Sequence, residues 1–185
     1  MSTALIVMIG LISIAFLSVV FIYNILVTKS AMVEEAWSGV EVQLKRRYDL
    51  IPALIETVKS YASHEDKLFS KVLTSREKCL SVKNDPQELG ENEKNFSSNL
   101  KFIFALAENY PELKANENFK EFQKQISMLE DEIQVSRRYY NGTVREVNIS
   151  VQTFPSNIIA NLFNFKKLSF FDVDESETVM PEIKF

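Results

Sequence analysis

A chain of 185 residues with 21 basic and 25 acidic side chains, net charge -4, has no global positive field to hold a phosphate backbone, which excludes general nucleic-acid binding. Gly 4 and Pro 5 leave little for tight turns, and with 46% hydrophobic residues they point to long helices and an all-α fold. The lone cysteine, Cys79, admits no internal disulfide, and with the lone histidine, His64, it builds no metal constellation, so neither metal nor cofactor is expected.

Residues 1–28 carry no charged side chain, and ALIVMIGLISIAFLSVVFIYNILV (Ala4–Val27) is almost wholly apolar. That exceeds the roughly 20 residues that cross a bilayer core and the about 7 to 15 of a secretory h-region, so 1–28 reads as a transmembrane anchor. No Lys or Arg precedes it, whereas Lys29, Lys45, Arg46 and Arg47 follow. The positive-inside bias then predicts a single-pass protein with its N-terminus outside and its C-terminal domain in the cytoplasm.

Beyond the anchor, Leu26, Val33, Trp37, Val40, Leu44, Ile51, Leu54, Val58 and Tyr61 recur in steps of four and three, with Ser30 and Arg47 in the same register. Pro52 lies within this pattern. It removes one helical hydrogen bond and clashes with the carbonyl of Tyr48, so the helix either kinks there or restarts with Asp49 as its cap. Ser63 with Asp66 has the spacing of a capping box and opens a helix over about 63–82. Asp85, Pro86 and Glu88 supply N-cap, N1 and N3 of the next, about 86–109, closed by Tyr110-Pro111. Asn116 opens the longest soluble helix, about 116–154, with its stripe running from Phe119 through Ile126, Ile133, Tyr140 and Val147 to Phe154.

Helices over about 29–61, 63–82, 86–109 and 116–154 with short connections predict an antiparallel four-helix bundle over 29–154, continuous with the transmembrane helix. An even number of passes returns the chain to the membrane side. The membrane-proximal segment 155–171 then gives a short amphipathic helix. It has two readings: Phe154, Ile158, Ile159, Leu162, Phe163, Phe165, Phe170 and Phe171 contact lipid with Lys166 and Lys167 at head groups, or the segment packs on the bundle or a second protomer. Residues 172–185 read as a solvated acidic tail.

Arginine pairs stand beside tyrosines twice, in LKRRYDL and SRRYYNG. Arg47 falls on the apolar stripe and Arg137 one residue past it, and charges at a seam need partners; Asp49, Glu56, Glu130 and Glu132 are within reach. Arg46, Arg47, Tyr48, Asp49, Glu56, Glu130, Arg137, Arg138, Tyr139, Asn141 and Asn148 form the predicted polar seam that fixes helix register. A partner-protein surface and capture of an anionic lipid or small anion are the alternatives. His64 beside Glu65 and Asp66 reads as a polar helix start. With no glycine-rich phosphate loop, HExxH or GxSxG, the chain is expected to be a non-enzyme without a small-molecule substrate.

YNILV (Tyr23–Val27), EEAWSGVEVQLKRRYDLIPALIETVKSYASHE (Glu34–Glu65), RRYYNGTVREVN (Arg137–Asn148) and FPSNIIANLF (Phe154–Phe163) resemble, in that order, the LemA family. Ala53 stands where the family usually has asparagine, and Gly142 where an acidic residue is usual. The resemblance implies a helical protein of the bacterial cytoplasmic (inner) membrane that acts as a scaffold or adaptor. It implies homo-oligomers and a partnership with a membrane-embedded zinc metalloprotease of the M48 type. An envelope-stress or ligand sensor with Pro52 as its joint is the alternative function.

Overall fold

The structure is a computed structural model that describes residues 3–83 and 85–171; the acidic tail at 172–185 lies outside the described residues. The all-α expectation holds. Helices α1 (Thr3–Lys59), α2 (Asp66–Ser81), α3 (Pro86–Leu106), α4 (Pro111–Ala115), α5 (Glu117–Gln152) and α6 (Ser156–Leu162) follow in order, a 3-10 turn (Ala107–Asn109) links α3 to α4, and no strand occurs among the described residues.

α1 runs unbroken through Pro52, so no fresh helix starts at Asp49. Proline has no N–H to give the Tyr48 carbonyl four residues back, and a carbonyl left unpaired inside a protein is costly. Here the Nε–H of Arg76 on α2 donates to that carbonyl at 2.8 Å. The proline therefore frees an acceptor on α1 that α2 uses. Restoring the donor with Pro52→Ala makes the helix compete with Arg76 for one oxygen. Arg76→Ala should then cost less in the Pro52→Ala background than in the native chain, with a coupling of about 1 kcal/mol in a double-mutant cycle of urea unfolding.

α2 starts at Asp66, three residues past the Ser63 start that the capping-box spacing gives, because the chain stays in a turn from 60 to 64 with Ala62 buried and Ser63 and His64 exposed. Lys59 and Asp66, 3.4 Å apart, bridge that turn. Asp85 caps α3: its Oδ1 accepts from the backbone N–H groups of Gln87 and Glu88, with Pro86 behind them at N1. Tyr110-Pro111 does close the preceding helical stretch, and beyond it Pro111 at the first position and Leu113, fully buried, make α4 a helical turn of its own. Asn116 caps α5 through Oδ1 and Phe119 N–H, and its Nδ2 donates to the Tyr61 hydroxyl. α5 ends at Gln152, two residues short of the expected Phe154.

The helices form two compact units, residues 3–38 with Tyr139–Leu168, and Gly39–Arg138 with 169–171. In the first, α1 is long and apolar enough to cross a membrane, as a single-pass anchor does, and its opening stretch, residues 3–18, is exposed throughout: Leu11 and Phe16 are 64% and 66% exposed. Nearer its middle, α1 meets the chain's later segments. Leu26 packs with Ile159 and Ala160 of α6, flanked by Val19, Ile22, Tyr23, Val151 and Phe165. Lys29 reaches Glu146 (3.0 Å) and the Ser150 hydroxyl (2.9 Å) on α5, and the Trp37 and Tyr140 rings lie 5.2 Å apart. The Asn148 side chain clamps residue 168 by two bonds, Nδ2 donating to the Leu168 carbonyl and Oδ1 accepting its N–H.

The second unit buries the heptad positions Val40, Leu44, Ile51, Leu54 and Val58 of α1 together with Phe69 and Val72 of α2. From α3 come Phe96, Leu100 and Ile103, and from α5 Phe119, Ile126 and Ile133. Apolar side chains at steps of three and four on every long helix turn inward, which is the burial that drives such helices together.

Candidate functional site

Within the second unit the buried residues include a polar layer centred on Glu93 of α3. An unpaired buried carboxylate is prohibitive, so the layer must satisfy it with donors. Arg47 of α1 forms an ion pair with Oε2 through Nη2, the Tyr48 hydroxyl donates to Oε1, and Arg137 Nη2 of α5 approaches Oε2 at 3.3 Å. Arg47 also reaches the Ser97 hydroxyl at 3.5 Å and Glu130 of α5 at 3.9 Å. Each guanidinium plane is covered by a ring: Phe96 lies 5.0 Å from that of Arg47, and Phe171 lies 4.6 Å from that of Arg137. Tyr48 meets the Phe96 edge at 5.4 Å. One carboxylate thus joins α1, α3 and α5, while Arg76 of α2 is tied to the Tyr48 backbone.

Burial, reinforced by the neighbouring Glu93 charge and hydrogen bond, pushes the Tyr48 hydroxyl far above its ordinary range. Burial first and the Glu93 charge second push the Cys79 thiol of α2, a hydrogen-bond neighbour of Tyr48, up to about 12. Near neutral pH both groups stay protonated, so neither supplies a nucleophile or a base. The thiol's contribution to stability is complete below its ordinary 9.0 and is lost as pH rises toward about 12, because the unfolded chain releases that proton first. Unfolding by urea between pH 8 and 11 should show stability falling as pH rises, with a shallower fall in Cys79→Ala; equal slopes would count against the buried, protonated thiol. The Tyr140 hydroxyl of the first unit is also raised by burial to about 12.

The other residues of the predicted seam are placed apart from the layer. Arg46 is exposed and pairs with Glu132 at 3.3 Å beside Gln43. Asp49 and Glu56 are exposed, and the charge they were expected to balance is met by Glu93 instead. Arg138 and Tyr139 are exposed, Asn141 is half-buried, and Asn148 serves the first unit through its clamp on Leu168. Glu93 lies outside the seam that the sequence reading predicts. Its signal was there: Leu89, Glu93, Phe96, Leu100 and Ile103 follow steps of four, three, four and three, which puts a carboxylate on an apolar stripe just as Arg47 is a cation on one.

Of the segment expected to face lipid or a protomer, Phe154, Ile158, Leu162 and Phe163 are exposed, as are Lys166 and Lys167. Ile159 is buried against Leu26, Phe165 packs near Tyr23, and Phe170 is half-buried. Phe171 is fully buried over Arg137 and so is unavailable to lipid or protomer: a guanidinium face drawn from water needs cover, and this ring supplies it. Among the described residues no group of His, Cys, Asp and Glu is placed to hold a metal ion.

Comparison with known proteins places these features in a family. The LemA family model matches residues 36–185. Protein LemA of Metamycoplasma hominis is 29% identical over 150 residues, covering 80% of this chain and 67% of its own length. Magnetosome protein MamQ 2 of Paramagnetospirillum magneticum is 25% identical and magnetosome protein MamQ of Magnetospirillum gryphiswaldense 22% identical, each over 174 residues, 80% of this chain and 64% of theirs. The chain spans about two thirds of the length of these relatives.

Proposed function

Since the chain belongs to the LemA family, we propose that it works as a membrane-anchored scaffold or adaptor without catalytic activity of its own. The observation that carries this reading is the apolar stretch that opens α1, exposed throughout residues 3–18 and long enough with the residues after it to cross a bilayer. An anchor of that kind holds an attached helical unit at a membrane surface, where its value lies in what it brings together. Relatives named as magnetosome proteins support a role at a membrane. The cations Lys29, Lys45, Arg46 and Arg47 that follow the apolar stretch favour an N-terminus outside and a helical unit in the cytoplasm, at the bacterial inner membrane.

In this reading the working form is a homo-oligomer, and its partner is a membrane protein, with an embedded zinc metalloprotease of the M48 type as the first candidate. Capture of the tagged full chain from gently solubilised native membranes, followed by mass spectrometry and sizing, tests it. More than one copy of the chain per particle together with a copurifying membrane protein is the expected result. A strict monomer that brings down no membrane protein would remove the scaffold reading.

A further inference from the structure

We infer that α6 is a second membrane element: it lies in the interfacial layer of the bilayer against the end of the α1 anchor, with Ile158 and Leu162 in lipid. The inference rests on the reading of α1 as a membrane span, and it assigns the exposed face of α6 to a lipid surface.

Depth along α1 sets the argument. A helix rises about 1.5 Å per residue, so if Lys29 marks the head groups, Leu26 lies about 5 Å, Tyr23 and Ile22 about 10 Å, and Val19 about 15 Å into the bilayer. Lys29 is a polar level on both sides of its contact, since it is paired with Glu146 and bonded to Ser150. α6 packs on the deeper side of that level. Its Ile159 and Ala160 form one cluster with Leu26, and Val19, Ile22 and Tyr23 lie against it. The rings of Tyr23 and Phe163 are 4.7 Å apart, and those of Tyr23 and Phe165 are 6.0 Å apart. An interfacial amphipathic helix buries its apolar face about 5–10 Å deep, the depth of Leu26, Ile22 and Tyr23, with Val19 reaching about 15 Å at the deep edge of the cluster.

The faces of α6 agree. At about 100° per residue, Ile159 and Ala160 point one way and are buried, while Ile158 and Leu162 share a second face and are 56% and 71% exposed. Asn157 and Asn161 fall on a third. The residues on either side of α6 continue the exposed apolar surface with Phe154, 80% exposed, and Phe163. Lys166 and Lys167, both exposed, follow within one short segment, suited to anionic head groups once the apolar side chains are seated. A helix of this make-up in water would expose large apolar side chains next to an anchor that already sits in lipid. Insertion satisfies both faces without a further partner.

Spin labels on the full chain test this. In a Cys79→Ala background, single cysteines at Ile158→Cys and Leu162→Cys are compared with Phe16→Cys in the anchor and Lys67→Cys in the second unit. The proteins are reconstituted in vesicles of phosphatidylcholine and phosphatidylglycerol, and collisions with oxygen, which partitions into lipid, are set against those with a water-soluble nickel chelate. The 158 and 162 labels should follow the Phe16 label, favouring oxygen several-fold over the Lys67 label. If they follow Lys67 while Phe16 remains in lipid, α6 is in water and the inference is overturned, with the anchor intact. Low access to both reagents would overturn it in favour of a protein cover such as a second copy. A Phe16 label open to the nickel chelate would remove the anchor reading and this inference with it.

Discussion

Replacing Glu93 with alanine should destabilise the second unit by about 3–5 kcal/mol, the cost of leaving buried charges without their counter-charge. Arg47 and Arg137 both direct a guanidinium nitrogen at Glu93 Oε2, and the Tyr48 hydroxyl uses Oε1, so one truncation removes an acceptor shared by donors on α1 and α5. Glu130, the other carboxylate near Arg47, is 3.9 Å away with a side chain 45% exposed, too distant and too solvated to take over. Glu93→Gln keeps the shape and one acceptor while removing the charge, and should fall between native and alanine. Urea unfolding of the detergent-solubilised chain followed by far-ultraviolet circular dichroism measures both. A loss below about 1 kcal/mol for the alanine variant would mean that the arginines have other partners or water.

Phe171→Ala should cost about 3 kcal/mol or more, the range for deleting a large ring from a packed interior. The ring is fully buried and caps the Arg137 guanidinium, so its loss removes apolar contact and admits water to one edge of the polar layer. Phe163→Ala is the control, because that residue is 48% exposed and loses only its ring contact with Tyr23; its effect in detergent should stay within about 1 kcal/mol. Equal effects at the two positions would contradict the separation of this aromatic segment into an exposed part and a buried end.

These two residues show how far the sequence could be read. Periodicity located the apolar faces, because a helix with Leu44, Ile51, Leu54 and Val58 at steps of seven, three and four has one stripe to bury whatever its partners are. Cap residues located the starts at Asp85 and Asn116, where a side chain acts on the backbone two or three positions on. Ser63 misled because the same spacing occurs in a turn that Ala62 anchors by burial, a tertiary effect. Arg47 is legible as a charge on an apolar stripe, but proximity along α1 and α5 points to carboxylates on those helices, whereas its buried partner is Glu93 on α3. Which helix faces which is decided by packing across the unit, and no local pattern carries it. Phe171 likewise reads as one of a run of aromatic neighbours, because composition does not mark where a segment turns back into a core.

Pro52 is a further case. Sequence identified the missing donor and the carbonyl it would strand, and the structure supplies the Arg76 side chain that takes its place. A residue that weakens one helix thereby fixes the position of another.

The claim at the centre of this account is that the buried charges join helices and do not perform chemistry or recognise a partner. A triple variant tests it, with Arg47→Met, Glu93→Leu and Arg137→Met replacing the charged layer by apolar side chains of similar volume, an exchange that packed proteins tolerate. Native membranes from cells carrying native or variant chain are solubilised, and the set and yield of copurifying membrane proteins are compared alongside helicity and urea midpoint. The account predicts a folded variant that retains the same partners in the same yield. A variant that folds with native helicity and midpoint yet loses them would show that the Glu93 layer is itself the working site.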